Sequence, residues 1–217
     1  MNDLNLSPIV KEETTKERVY KEVKGAILSG RISPDEIFTE VKLAEILNTS
    51  RTPVRESLQD LQKEGLVVAI PRKGLAVRKV TSIEMEQIFL LRKSIESEVI
   101  QKLIDRITSE QIQVLEEICH QQEKAMNMAD EVSFISFDQE FHLTLTRFAN
   151  YELIEQILLN LHNLCTLIGL QAVKKKNRMS EVLAEHREII EALRKKEQTK
   201  AVDAIIDHLA RTNDSLR

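Results

Sequence analysis

The apolar positions of this chain follow two rhythms. In the first 80 residues they come in short, interrupted runs. Val19, Val23, Ile27 and Leu28 recur at helical spacing and predict a helix over 15–29, ended by Gly30. Leu43, Ala44 and Leu47 predict a second, short helix over 41–47, with a tight turn at Asn48-Thr49. Ser50 then offers an N-cap, and Pro53 falls in a first turn, where its missing N–H costs nothing. A third helix follows over 51–63 with Val54, Leu58 and Leu61 inside. Runs rich in β-branched residues predict two strands, 67–70 and 75–80, joined by Pro71-Arg72-Lys73-Gly74.

From residue 81 the pattern becomes long and helical. All four prolines and four of the five glycines precede that point, and only Gly169 follows it. The periodicity predicts six helices, 82–106, 109–129, 131–148, 151–174, 178–195 and 197–215. The short connections between them suit an antiparallel bundle. The expected fold is therefore mostly α: an N-terminal winged helix-turn-helix followed by an all-α antiparallel helical bundle. The expected divisions are a tail over 1–13, a winged helix-turn-helix domain over 14–80 and a helical domain over 81–217.

Composition changes this picture little. The chain is 42% hydrophobic and 30% charged, as in folded soluble proteins and unlike disordered ones. No unbroken run approaches the roughly 18 apolar residues of a membrane helix. The N-terminus lacks the basic-then-apolar order of a signal peptide. A cytoplasmic location without membrane contact is expected. Cys119 and Cys165 have no CxxC spacing and read as reduced thiols.

Charge changes it more. The net charge of −4 hides an asymmetry. Residues 1–80 hold 14 basic against 12 acidic side chains, and residues 81–217 hold 17 against 23. Within 42–79 the count is 8 against 4. A local positive potential on one small domain suits an anionic partner such as DNA.

The third helix stands where a recognition helix would. Thr52, Arg55 and Gln59 project clear of its buried stripe, and Arg51 lies at the margin near its start. An arginine fork there can bond guanine O6 and N7 together. Arg72 and Lys73 at the hairpin tip can reach phosphates or the minor groove, with Gly74 allowing close backbone approach. The helical pair alone would also fit a solvated hairpin. The three-helix order, the hairpin and the local charge favour DNA.

The helical domain carries its chemistry in histidines. His142 lies four residues after Asp138, on a face shared with Phe134 and Leu145. His186 shares a face with Leu183, Ile190 and Leu193, and His208 with Ile205 and Ala201. Four polar groups on the apolar stripes of three helices would share a divalent metal as common partner, or would be separately satisfied core residues. His120 reads as a surface residue and His162 as core. The run Lys174-Lys175-Lys176-Asn177-Arg178 reads as a solvated loop.

The stretch LAEILNTSRTPVRESLQDLQKEGLV followed by PRKGLAV resembles the DNA-binding domain of the GntR family of bacterial transcription regulators, over about residues 14–80. The resemblance implies that Arg51, Arg55 and the wing around Gly74 contact operator DNA. It implies that Ser50, Thr52 and Pro53 position the recognition helix, and that a homodimer binds a pseudo-palindrome. Asp138 and His142 in FDQEFHLTLTRFAN, His186 in EHREII and His208 in DHL look like the metal ligands of the FCD effector domain, which defines the FadR-type branch. The expected cofactor is one divalent metal per chain, zinc or nickel first, iron or manganese next. Six helices rather than seven look more like the VanR-type subgroup.

A metal with one aspartate and three neutral histidines keeps a net positive charge and open positions, which attract a small carboxylate. FCD domains resemble one another in binding small organic acids beside the metal. Arg92 is a candidate second clamp for that acid, or the partner of a surface salt bridge with Glu96. The function expected is a DNA-binding transcription regulator, a repressor, whose helical domain binds metal and a small organic acid effector. The alternatives are a regulator with a purely structural metal, and a metal-dependent hydrolase or isomerase bundle with an accessory N-terminal domain. No further general base with a motif supports an enzyme.

Overall fold

The computed structural model describes residues 13–216 and divides after Val77 into two compact units. In the first unit, α1 (Thr15–Leu28) starts from a closed capping box. Thr14 accepts from the Glu17 N–H, and the Glu17 carboxylate accepts from the Thr14 N–H. A two-residue strand, β1 (Ile37–Phe38), precedes α2 (Glu40–Ile46) and α3 (Arg51–Lys63). Val19, Val23 and Ile27 of α1 are buried together with Leu43 of α2 and Val54, Leu58 and Leu61 of α3. Burying each such side chain contributes about 1.5–3 kcal/mol. Polar contacts fix the α1–α3 angle. Tyr20 donates to Glu64 at 2.5 Å, Lys24 donates to the same carboxylate at 2.8 Å, and the buried Ser57 hydroxyl lies 2.9 Å from the Lys16 carbonyl.

The wing consists of β2 (Val67–Ile70) and β3 (Gly74–Val77), antiparallel, with Val67 opposite Val77 and Ile70 opposite Gly74. β1 pairs on the other edge of β3, giving the order β1-β3-β2. β1 is too short to show a period in the sequence. The second wing strand stops at Val77 rather than running to Val80. Gly74 has φ +139°, and a Cβ there would lie 2.4 Å from the Phe38 carbonyl oxygen. The close approach that this glycine permits within the fold is thus to the strand beside it.

The second unit is six helices: α4 (Ser82–Leu103), α5 (Ser109–Asn127), α6 (Glu131–Phe148), α7 (Glu152–Ala172), α8 (Arg178–Arg194) and α9 (Gln198–Asp214). Thr81 and Thr108 close capping boxes with Glu84 and Gln111, and Asp130 caps α6 by accepting from the Ser133 N–H. Asn150 takes a left-handed φ of 56° between α6 and α7. The core joins Ile100 and Leu103 of α4, Leu115 of α5, Phe141 of α6, Ile189 and Leu193 of α8, and Ala201, Ile205 and Leu209 of α9. Gly169 lets α7 approach α6 closely, since a Cβ would sit 2.9 Å from Ile135 Cδ1.

Although no unbroken apolar run is long enough, α7 as a whole has the length and composition to cross a membrane, with a mean hydropathy of 1.3 over its best window. Glu155, Gln156, Asn160, His162 and Asn163 interrupt it. Its buried face packs on α6, and it leaves Leu153, Ile157 and Leu159 exposed.

Candidate nucleic-acid interface and metal centre

In the first unit, α2 and α3 are joined by a turn in which Asn48 adopts a left-handed φ of 47°. Ser50 stands at the N-cap of α3 with extended backbone, but its hydroxyl makes no cap bond. Because Val54, Ser57, Leu58 and Leu61 face inward, Arg51, Thr52, Arg55 and Gln59 are left exposed on one side, with Pro53 half-buried. Arg51 lies 3.6 Å from Glu40, a loose surface pair that water screens. At the wing tip Arg72 has φ 62°, the Lys73 N–H closes the turn onto the Ile70 carbonyl, and both side chains are exposed.

In the second unit, α6 carries Asp138 and His142 one turn apart, α8 carries His186 and α9 carries His208. All four are buried, and each offers a ligand atom within 4.8 Å of the others. His142 Nε2 faces His208 Nε2 at 3.2 Å, and His186 Nε2 lies 3.5 Å from an Asp138 oxygen. Gln139 donates to the other Asp138 oxygen at 3.1 Å. Phe141 stacks on the His186 ring at 4.1 Å and fixes its plane.

The outward-facing nitrogens decide what the inward ones can do. His208 Nδ1 lies 2.8 Å from Glu185, and His186 Nδ1 lies 3.0 Å from the Gln122 oxygen. His142 Nδ1 is 2.5 Å from Glu96, close but not aligned as a hydrogen bond. Carboxylate and amide oxygens only accept, so Nδ1 carries the proton in His186 and His208, and the Nε2 lone pairs point inward. Burial, with the neighbouring His208 and His142, pushes His186 well below the usual imidazole range. Burial likewise lowers His208. The centre therefore gathers neutral imidazole lone pairs. His186 Nε2 is buried with no hydrogen-bond partner, and His142 Nε2 and His208 Nε2 face each other at 3.2 Å, where at most one of them can donate to the other. A divalent cation satisfies this donor set. Neutral imidazole and carboxylate are its ordinary ligands, and outer acceptors hold the His186 and His208 rings. Asp138, His142, His186 and His208 would hold it, and the bound ion would supply a cationic, Lewis-acidic centre.

Two outer carboxylates are kept charged in this interior. Burial alone would raise Glu96 and Glu185. Arg92 and His142 outweigh it for Glu96, and His208 and Arg178 for Glu185, holding both at about 2. Arg92 donates from Nε to Glu96 at 2.6 Å. The pair expected as a surface salt bridge exists, but it is buried, and Arg92 Nη2 has no hydrogen-bond partner. His120 is exposed, and His162 is half-buried rather than core. Nothing in the sequence around Gln122, Glu185 or Arg178 marks them as part of a site. Glu185 adjoins His186 in EHREII, a signal that only the helix packing makes legible. Lys174, Lys175 and Lys176 are exposed as expected, but Arg178, read as part of the same solvated run, is 1% exposed.

Residues 15–77 match the model of the bacterial regulatory proteins of the gntR family, and residues 87–211 match the FCD domain. The chain belongs to the FCD-containing branch of the GntR family. This GntR protein is 28% identical over 190 residues to the uncharacterized HTH-type transcriptional regulator YdhC of Bacillus subtilis, covering 87% of this chain and 85% of that one. It is 26% identical to the HTH-type transcriptional repressor RspR of Escherichia coli, covering 94% and 90%. In fold it is similar to a GntR regulator from Rhodococcus sp. RHA1, with a TM-score of 0.76 at 20% identity over 93% and 96% of the two chains. These names are those of transcription regulators, not enzymes. GntR regulators bind operator DNA, and FCD domains are known to bind metal and small-molecule effectors.

Proposed function

We propose that this GntR regulator is a cytoplasmic, homodimeric repressor whose FCD domain holds one divalent metal on Asp138, His142, His186 and His208. A small carboxylate binds beside the metal with Arg92 as its second clamp and changes operator affinity. The observation that carries the metal reading is the orphaned, fully buried His186 Nε2 within a converging set of ligand atoms. The unpartnered, buried Arg92 Nη2 supports the clamp, because a guanidinium edge left unsatisfied in the interior favours an anion. Zinc and nickel suit the imidazole-rich set best, with iron and manganese next. The six helices of the effector unit support a VanR-type assignment.

On the DNA side, Arg51, Thr52, Arg55 and Gln59 read the major groove, Ser50 and Pro53 position the helix start, and Arg72, Lys73 and Gly74 place the wing. The exposure of Arg51, Thr52, Arg55 and Gln59 on the helix and of Arg72 and Lys73 at the wing tip supports this assignment. A two-fold pair of such units matches a pseudo-palindromic operator, and the exposed Leu90, Leu91, Leu153, Ile157 and Leu159 are available for pairing. For the effector to act, it must bind the two conformations of the regulator unequally.

The test is elemental analysis of untagged protein beside the Asp138→Ala, His142→Ala double variant. The expected result is about one metal per chain, lost in the variant. Wild type that stays metal-free after reconstitution with zinc, nickel and manganese refutes the metal reading. If metal binds, but organic acids shift neither melting temperature nor operator affinity, the metal is purely structural and the effector reading fails.

A further inference from the structure

Arg178 is the first residue of α8, turned inward by the left-handed Asn177 (φ 66°) before it. Its two terminal nitrogens meet the two oxygens of Glu185 at 2.7 and 2.9 Å, the forked geometry that only a guanidinium gives. Glu185 in turn accepts from His208 Nδ1 at 2.8 Å. Arg178 Nη2 also donates to the Thr212 hydroxyl at 2.9 Å, and that hydroxyl donates to the His208 main-chain carbonyl at 3.0 Å. Arg178 therefore grips His208 from two sides, through its ring and through its backbone. Burying an ion pair is a poor way to stabilise a fold, since desolvation consumes most of the attraction. It is an effective way to fix an orientation.

We infer that Arg178 is a positioning residue for the metal centre, acting through Glu185 and Thr212 on His208 and setting the affinity of the site from two contacts away. The inference rests on the proposed metal site. Among the three histidines, only His208 is held by this closed ring. His186 has the neutral Gln122 behind it, and Arg92 behind His142 grips Glu96 through one nitrogen alone. A ligand locked in the Nδ1–H tautomer by a carboxylate is also the more basic ligand.

The experiment is zinc affinity of the full chain, measured by competition with a chromophoric chelator. Arg178→Met is expected to weaken zinc binding about 10–100-fold, the range found when outer partners of metal ligands are removed. Arg178→Lys, which keeps the charge but not the fork, should recover part of the loss. In a His208→Ala background Arg178→Met should add almost nothing, while in a His142→Ala background it should keep its full effect. The paired Arg178→Met, Glu185→Gln variant removes both charges together, leaves no isolated buried carboxylate, and should lose as much affinity as Arg178→Met. Equal losses in the two histidine backgrounds would show an effect through packing alone and overturn the inference. So would unchanged affinity in Arg178→Met, which leaves the metal site itself standing. Wild type that binds no zinc overturns both.

Discussion

Acidification of the metal-free protein tests the electrostatics of the centre. His186 has no exposed surface, and burial holds its imidazole well below the usual range; His208 is lowered by the same cause. In the unfolded chain both titrate near pH 6.5. Below that value the unfolded state binds protons that the folded state refuses, so their contribution is intact above pH 6.5 and declines as pH falls. Between pH 6 and 5 an unfolded histidine is about nine-tenths protonated on average. Each histidine that stays neutral when folded therefore removes about 1.2 kcal/mol across that unit. Glu96 and Glu185 act with the same sign at lower pH. Held at about 2 against 4.5, they stabilise the fold above pH 4.5 and lose that contribution as pH falls towards 2. The curve should fall in two stages, the first histidine-driven and the second carboxylate-driven.

The assay is urea unfolding of chelator-treated protein followed by far-ultraviolet circular dichroism, since the chain has no tryptophan and six long helices dominate the signal. The His186→Gln variant should flatten the first stage, and His120→Ala, at an exposed position, should leave it intact. A wild-type midpoint unchanged from pH 7 to pH 5 would refute the reasoning. So would an undiminished first stage in His186→Gln.

On the DNA side, Arg55→Ala should weaken operator binding by about 1–3 kcal/mol, or roughly 5–150-fold, with the loss concentrated at one base position in a binding-site selection. The Arg72→Ala, Lys73→Ala pair should instead weaken all sequences alike and reduce the salt slope of binding by up to about 2 in a titration of affinity against salt. Gly74→Ala puts a side chain 2.4 Å from the Phe38 carbonyl at a φ of +139°. It should lower the stability of the DNA-binding unit by about 1–3 kcal/mol or more in thermal melts, and an unchanged melt would mean that β1 yields without cost.

The periodic parts of this fold are legible in the amino-acid sequence. The ends of α3 and the six helices of the second unit follow from stripes such as Val54–Leu58–Leu61 and Phe134–Asp138–His142, because helix formation and burial of one face are local and repetitive. β1 is not legible there. Two residues carry no period, and Ile37–Phe38 are strand only because β3 is there to pair with them. The family, too, is readable from SRTPVRE and the histidine spacings, and the matches over 15–77 and 87–211 bear it out.

The centre divides along the same line. That Asp138, His142, His186 and His208 each face inward is a property of single helices, written in their neighbours three and four residues away. That their ligand atoms come within 4.8 Å of one another is decided only by how α6, α8 and α9 pack. The outer contacts belong wholly to tertiary structure. Arg178 sits in a basic run whose other members are solvated, and nothing in its sequence neighbours distinguishes it. It is buried because Glu185, seven residues on, and Thr212, on another helix, converge on it. Local sequence determines which face of a helix is apolar, since that depends on spacing along one chain segment. Which polar groups meet across that face depends on the crossing of segments far apart in the chain, and only the packed bundle sets it.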